Sequence, residues 1–228
     1  MFIVAEGITC TGKTTQMKML ADRINSKGGR AFFNHEPTKA SPYGKIIRRI
    51  VEKREISPEL IKEAKNRKLI PGVIEKLEDG KELTELERQS IYMADRRENL
   101  IHTVIPKIAR GATVLQDRYE MSTFAYGATK DISEETLRKR QKQILEDVYL
   151  RPDIILYFDL DPQTAVERLK LSGKQTDIYE TLSKIKKTRA AYKKLLKNKD
   201  FYRTLYAIDA SESLDEVFNT ICFKLNLW

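Results

Sequence analysis

The segment Gly7-Ile8-Thr9-Cys10-Thr11-Gly12-Lys13-Thr14 constrains this chain more than any other, because it matches G-x-x-x-x-G-K-[ST]. An apolar run, Phe2–Ala5, precedes it. A helical pattern follows at once, with Met17, Leu20, Ala21 and Ile24 spaced i, i+3, i+4, i+7 on one face and Gly28-Gly29 as a stop. A strand, a glycine-rich turn and a helix in that order converge backbone N–H groups on one point, and the helix N-terminus adds partial positive charge. Phosphate oxygens suit that point. Lys13 is placed to reach the β- and γ-phosphates of a nucleotide, and the Thr14 hydroxyl to ligate Mg²⁺.

The rest of the chain reads as the framework such a loop needs. Phe2–Ala5, Ala31–Asn34, Ala112–Gln116, Ile154–Leu160 and Leu205–Ile208 are short, apolar and β-branched or aromatic, which predicts buried strands. Helical patterns separate them. Thr84-Glu85-Leu86-Glu87 is a capping-box sequence opening a helix whose inner stripe is Met93, Leu100, Val104 and Ile108. Pro106 is expected to kink or shorten that helix, and Gly111 to stop it. Ser133 starts a helix through Leu137, Ile144 and Val148; further helices run from about Asp177 to Lys197 and from Ser213 to Leu225. Strands alternating with helices predict an α/β class fold with a mostly parallel, doubly wound sheet. At 228 residues the chain is expected to form one domain, residues 1–228. Residues 51–83, rich in Lys and Glu, stand apart. Ser57-Pro58 reads there as a helix start and Pro71-Gly72 as a turn, so the segment is expected to be a solvated helical insertion. The other readings are a reshaped pocket or a reshaped dimer contact.

Composition removes several classes. No run approaches the roughly 18 apolar residues that span a bilayer, so a soluble chain with no membrane partner is expected. Cys10 and Cys222 cannot build a disulfide framework, which predicts a reducing, cytoplasmic setting. Phe2–Ala5 already reads as a strand, so no presequence is expected. Two histidines, His35 and His102, and two scattered cysteines are too few for a zinc site. The 42 Lys+Arg against 33 Asp+Glu give a net charge of +9, which fits an acidic partner, either nucleic acid or a phosphorylated small molecule. The lysine-dense stretch Lys184–Lys199 has an inner side of Ile185, Tyr192 and Leu196. It reads as a solvated helix face, without the motif or aromatic interleaving of a nucleic-acid binder.

Other features add chemistry. Asp117-Arg118-Tyr119 follows an apolar run, where an Asp at a strand's carboxyl end can hold Mg²⁺ and an Arg can fork a phosphate. Tyr92 and Arg96 share a helix face at i, i+4, an aromatic plane beside a guanidinium. Cys10 sits at a helix N-terminus, where thiolate would be stabilised; the simpler reading is a small side chain filling the loop.

Taken together, the chain resembles the thymidylate kinases. The resemblance rests on Glu6-Gly7-x₄-Gly12-Lys13-Thr14-Thr15-Gln16, Glu36-Pro37, Ala94-Asp95-Arg96, Asp117-Arg118-Tyr119 with Ser122 and Ala125-Tyr126, and Arg151-Pro152-Asp153. Asp177-Ile178-Tyr179-Glu180 and Ile208-Asp209-Ala210-Ser211 extend it, in collinear order over nearly the whole chain. It implies a P-loop kinase fold with a five-stranded parallel sheet flanked by helices, and a short lid at about 171–180. It also implies Mg-dependent transfer of the ATP γ-phosphoryl group to dTMP, giving dTDP and ADP. Gly7, Ile8, Thr9, Cys10, Thr11, Gly12, Lys13, Thr14 and Thr15 would hold ATP; Thr14 and Asp117 would hold the metal. Tyr92 would stack on the pyrimidine, and Arg96 and Arg118 would hold the acceptor phosphate. Ser122 and Tyr126 would lie near base or sugar, Tyr179 against the deoxyribose, and Glu36-Pro37 beside the acceptor. Ile208 to Ser211 would pass near the adenine. A homodimer paired through the helix at about Thr84–Ala109 is implied as well.

Departures from the family pattern keep other readings open. Thr9 stands where an acid is usual. The loop has Cys10-Thr11 and the lid offers only Lys174 in place of a transition-state arginine, which leaves Lys13, Arg118 and Lys174 as the catalytic cations. The segment Glu36–Gly44 lacks the usual glycine pair and arginine, for which Lys39 or Arg48 could compensate. A kinase for another pyrimidine nucleotide or a deoxynucleoside, or a nucleotide-binding relative without catalysis, are the alternatives.

Overall fold

All five apolar runs form strands: β1 Phe2–Glu6, β2 Ala31–His35, β3 Thr113–Asp117, β4 Ile154–Asp159 and β5 Thr204–Asp209. The structure is a computed structural model that describes residues 1–172 and 181–227. The strands pair in the order β2-β3-β1-β4-β5, each pair parallel. β1 is central and wholly buried, which explains its unbroken apolar sequence: helices cover both faces of such a strand. The strands end at Glu6, His35, Asp117, Asp159 and Asp209, so one end of the sheet gathers polar and charged groups. Ligands of doubly wound sheets bind beyond that end.

Between the strands lie α1 (Lys13–Ser26), α2 (Pro42–Val51), α3 (Pro58–Arg67), α4 (Pro71–Glu78), α5 (Glu85–Asn99) and α6 (Ile105–Ala109). After β3 come α7 (Glu120–Ala128), α8 (Glu134–Leu145), α9 (Pro162–Leu171), α10 (Leu182–Leu195) and α11 (Leu214–Lys224). Local signals set many of their ends. Met17, Leu20 and Ala21 are the buried face of α1, and Thr84 and Glu87 close a reciprocal capping box on α5. Among the described residues no helix is long and apolar enough to cross a membrane.

Several local expectations are corrected. At Pro106 the regular helix is interrupted as expected, α5 stopping at Asn99, but the interruption has an unexpected form. A π-turn at Leu100–Val104 widens the hydrogen-bond ladder just before the residue that cannot donate, and α6 then continues. Pro71-Gly72 opens α4 instead of forming a turn, since Pro is well placed where the N–H would be orphaned anyway. Val148 leaves α8 for a short 3₁₀ turn, because Glu146 takes a positive φ of 50°. The helix expected from Asp177 is described from Leu182, capped by Thr181; 173–180, with most of the expected lid, lie outside the described residues.

Residues 51–83 hold α3 and α4, and their packing corrects the expectation of a solvated insertion. Ile61, Ala64, Ile70, Val73 and Ile74 are buried in the same apolar core as the sheet. The Tyr43 hydroxyl on α2 donates to the Ala64 carbonyl at 3.1 Å. High Lys and Glu content describes only the outer face of these helices; a narrow apolar stripe is enough to dock them. Ile74→Ala should therefore cost about 2–4 kcal/mol in urea unfolding, as for a core truncation. A loss below about 0.5 kcal/mol, the surface range, would contradict the docking.

Candidate active site

The loop leaving β1 is shaped by two backbone constraints. A Cβ on Gly7 would stand 2.5 Å from the Phe158 carbonyl oxygen of β4, so only glycine lets the chain pass. Gly12 caps α1 in the left-handed region, at φ 81°. Ile8 turns its side chain into the core, so it serves the loop through its backbone. Lys13 folds back over the loop, its Nζ donating to the Ile8 carbonyl at 2.5 Å and to Thr11 Oγ1 at 2.9 Å. Burial, and then the charge of Arg118, lower the Lys13 ammonium to about 7. Thr9 and Cys10 are half-buried and Thr15 is exposed; Cys10 is a free thiol at φ 55°.

Beside α1, the Thr14 hydroxyl donates to Asp117 Oδ2 at the end of β3. Asp117 Oδ1 is buried with no partner in the structure. An orphaned carboxylate oxygen next to a hydroxyl, at a phosphate loop, suits Mg²⁺, which takes few protein oxygens and completes its shell with phosphate and water.

A cavity of about 240 Å³ opens next to the loop. Glu36, Pro37, Tyr92, Arg96, Arg118, Ser122 and Tyr126, singled out in three separate stretches of sequence, all line it. Arg118 joins cavity and loop: its Nη1 donates to the Gly7 carbonyl at 3.1 Å and to Ser122 Oγ at 3.2 Å. Its backbone lies in the left-handed region at φ 67°, held by an N–H bond to the Ala5 carbonyl at 3.0 Å. A non-glycine residue in that region costs roughly 1–2 kcal/mol, offset here by the surrounding structure.

Arg96 is more occupied than a bare phosphate clamp. It is 1% exposed, and its Nε and Nη2 both donate to Glu36 Oε2, at 3.0 and 2.8 Å. Nη2 also donates to Thr123 Oγ1 at 3.0 Å, and the guanidinium sits 4.9 Å over the Tyr119 ring. Burial pushes the Glu36 carboxyl up to about 7 even though Arg96 opposes the shift. Cationic charge less committed to protein partners is supplied by Arg118 and by Arg48, which also lines the cavity. Arg48 donates to the Pro37 carbonyl, and its Nε is buried without a partner. Lys39, the other cation weighed for this role, is exposed. Lys174 and Tyr179 lie outside the described residues.

Sequence reasoning missed three positioning groups. Glu6 is fully buried, and its Oε1 accepts from the Tyr119 and Ser122 N–H groups at 2.9 and 3.2 Å, capping α7 from across the sheet. Its Oε2 accepts from Ser122 Oγ at 2.7 Å and from the Tyr192 hydroxyl of α10 at 2.9 Å. Asp95 accepts from the Thr38 N–H at 2.8 Å and the Thr38 hydroxyl at 2.6 Å, tying the Glu36–Pro37 loop to α5. Gln89, also on the cavity wall, has its amide turned by Glu85 at 2.7 Å. Its place at i, i+3, i+7 with Tyr92 and Arg96 was the available signal. A charged residue inside an apolar strand was the signal for Glu6.

A model of the family described as thymidylate kinase matches residues 5–65 and 62–221 of the chain. The chain belongs to the thymidylate kinase family. A thymidylate kinase of Leptospira borgpetersenii is 30% identical over 195 residues, 86% of this chain and 80% of the relative. One of Thermosipho africanus is 30% identical over 97% of this chain and 95% of its own length. A probable thymidylate kinase of Pyrococcus abyssi is 27% identical over 96% and 93%. This thymidylate kinase family member thus matches relatives along nearly their full length.

With Lys13 lowered to about 7, it is mostly neutral at pH 8 and mostly charged at pH 6. Phosphate beside it favours the charged form, so ATP binding at pH 8 should take up close to one proton, and far less at pH 6. Calorimetric titration in buffers of different ionisation heat measures this uptake. Lys13→Met should abolish the pH 8 uptake; the same uptake in that variant would place the proton elsewhere.

Proposed function

We propose that this chain transfers the γ-phosphoryl group of ATP to dTMP, giving dTDP and ADP. The observation that carries this reading is the position of Arg118, which contacts the phosphate loop at Gly7 and also lines the cavity of Tyr92. A donor loop and an acceptor cavity that share one guanidinium suit direct transfer between two phosphates. The relatives' names supply the acceptor, dTMP.

Phosphoryl transfer needs positioning and charge neutralisation more than covalent help. The loop N–H groups and Lys13 hold the ATP phosphates, Lys13 leaving the Ile8 carbonyl to do so. Arg118 and Arg48 face the acceptor phosphate, and Tyr92 lies flat against the pyrimidine with Arg96 at the cavity wall. Thr14 and Asp117 would hold magnesium, which would supply charge neutralisation at the nucleotide phosphates. The chain works as one kinase domain. Two free cysteines suit the reducing cytoplasm. Ile101 and Ile105, exposed at 37% and 39% in the turns that follow α5, suit a homodimer paired along that helix.

A second reading rests on Thr9. A hydroxyl there cannot supply the charge of the family's usual acid, which favours a relative acting on another pyrimidine nucleotide or a deoxynucleoside.

A coupled ADP-release assay with Mg-ATP and dTMP, dUMP, UMP, CMP, dGMP or thymidine separates the readings. Strong preference for dTMP is expected; preference for another acceptor overturns the dTMP reading, and silence across the panel with ATP still bound overturns catalysis. Tyr92→Ala should raise the acceptor KM by roughly tenfold or more, as for loss of a stacked aromatic, with ATP affinity nearly unchanged. An unchanged acceptor KM would remove Tyr92 from the base site.

A further inference from the structure

Behind Arg96 runs a line of side chains that touches neither substrate site. Arg96 Nη1 donates to Gln141 Oε1 of α8 at 3.5 Å. Gln141 Nε2 donates to Glu120 Oε1, at the start of α7. Glu120 Oε2 accepts from the Tyr149 hydroxyl at 2.7 Å. Gln141 and Glu120 are buried, whereas Tyr149 is 39% exposed.

Donor and acceptor chemistry fixes each link. Burial raises the Glu120 pKa while the Tyr149 and Gln141 bonds oppose that rise; when ionised the carboxylate only accepts, so Tyr149 and the Gln141 NH₂ both donate to it. The Gln141 carbonyl oxygen is then left facing Arg96, which only donates. Were the amide turned over, an N–H would face a guanidinium and a carbonyl would face a carboxylate, two unsatisfied pairs in a buried place. Glu120 therefore sets the direction of Gln141. Glu36 takes Nε and Nη2 of Arg96 from the other side, so the guanidinium plane is held between two carboxylates, one directly and one through an amide.

We propose that Gln141, oriented by Glu120 and Tyr149, is a positioning residue that sets the Arg96 guanidinium against the acceptor cavity. The inference rests on the reading above that the cavity whose wall Arg96 forms takes the acceptor. Sequence gives no hint of it, because the groups lie 45, 21 and 29 positions apart along the line from Arg96 to Tyr149.

The test is steady-state kinetics on Gln141→Leu, Glu120→Gln and Tyr149→Phe, with melting temperatures measured alongside. Effects on the acceptor KM should fall with distance from Arg96: about tenfold for Gln141→Leu, less for Glu120→Gln and about twofold for Tyr149→Phe, the range seen for coupled hydrogen-bonded neighbours. The KM for ATP should stay constant in all three. On an Arg96→Lys background Gln141→Leu should add little, because its effect passes through Arg96. Parallel rises in both KM values that track melting temperature would reduce the line to a structural role and overturn the inference. If Arg96→Lys raises the acceptor KM and Gln141→Leu does not, this inference fails while the acceptor reading stands. An Arg96→Lys protein with an unchanged acceptor KM overturns both. Tyr149→Phe removes one hydroxyl from a partly exposed ring, so it remains a usable probe if the buried variants do not fold. An unchanged acceptor KM in that variant would cut Tyr149 out of the line.

Discussion

Glu6 ends the central strand with no exposed surface, one residue before the phosphate loop, and its two oxygens accept four hydrogen bonds. Burying a carboxylate costs several kcal/mol unless its lone pairs are met. Here they are met by the first turn of α7 and by Tyr192 of α10. The strand that carries the phosphate loop is thereby tied to the helix that carries Ser122 and Tyr126, and to the helix that follows the 173–180 segment. Arg118, between β3 and α7, is fixed from both sides: its backbone by Ala5 of β1, its guanidinium by Gly7 and Ser122.

The acceptor side repeats the same logic with charges of both signs. Arg96 and Glu36 form a pair almost without solvent, 2.8 Å apart, and Asn99 closes the other Glu36 oxygen at 3.3 Å. A pair of this kind adds little net stability, but breaking it leaves an unmatched buried charge. Gly44 belongs to this arrangement. A Cβ there would stand 2.2 Å from the Thr38 carbonyl oxygen and 2.7 Å from Asp95 Oδ1, so glycine lets α2 press against the loop that Asp95 holds. Arg48, one helical turn further along α2, reaches the Pro37 carbonyl from that position.

Much of this was legible in the sequence because it depends on local rules. Central parallel strands must be apolar on both faces, so β1 and β4 read plainly; Thr84-x-x-Glu87 and Ser57-Pro58 announced their helices through capping alone. Tyr92, Arg96, Arg118, Ser122 and Tyr126 of the cavity were found because each lay beside a recognisable pattern, whereas Gln89 was not. Hidden features were those decided by distant partners. Glu36 and Arg96 are 60 positions apart, and nothing local says that they pair. Composition misjudged 51–83, since a few buried apolar side chains outweigh many exposed lysines. Pro106 announced an interruption of the helix but not its form, a π-turn at Leu100–Val104.

One buried carboxylate holds the acceptor side in register with the phosphate loop. Glu6→Gln tests it most directly, since the amide keeps the size but turns an NH₂ toward groups that themselves donate. The measurement is the rate of ADP and dTDP formation from saturating Mg-ATP and dTMP, alongside ATP affinity by calorimetry. ATP affinity should stay close to that of the unaltered protein while the transfer rate falls by about a hundredfold, as expected when reacting groups shift by about 1 Å. A variant that binds ATP and transfers phosphoryl groups at the unaltered rate would contradict it.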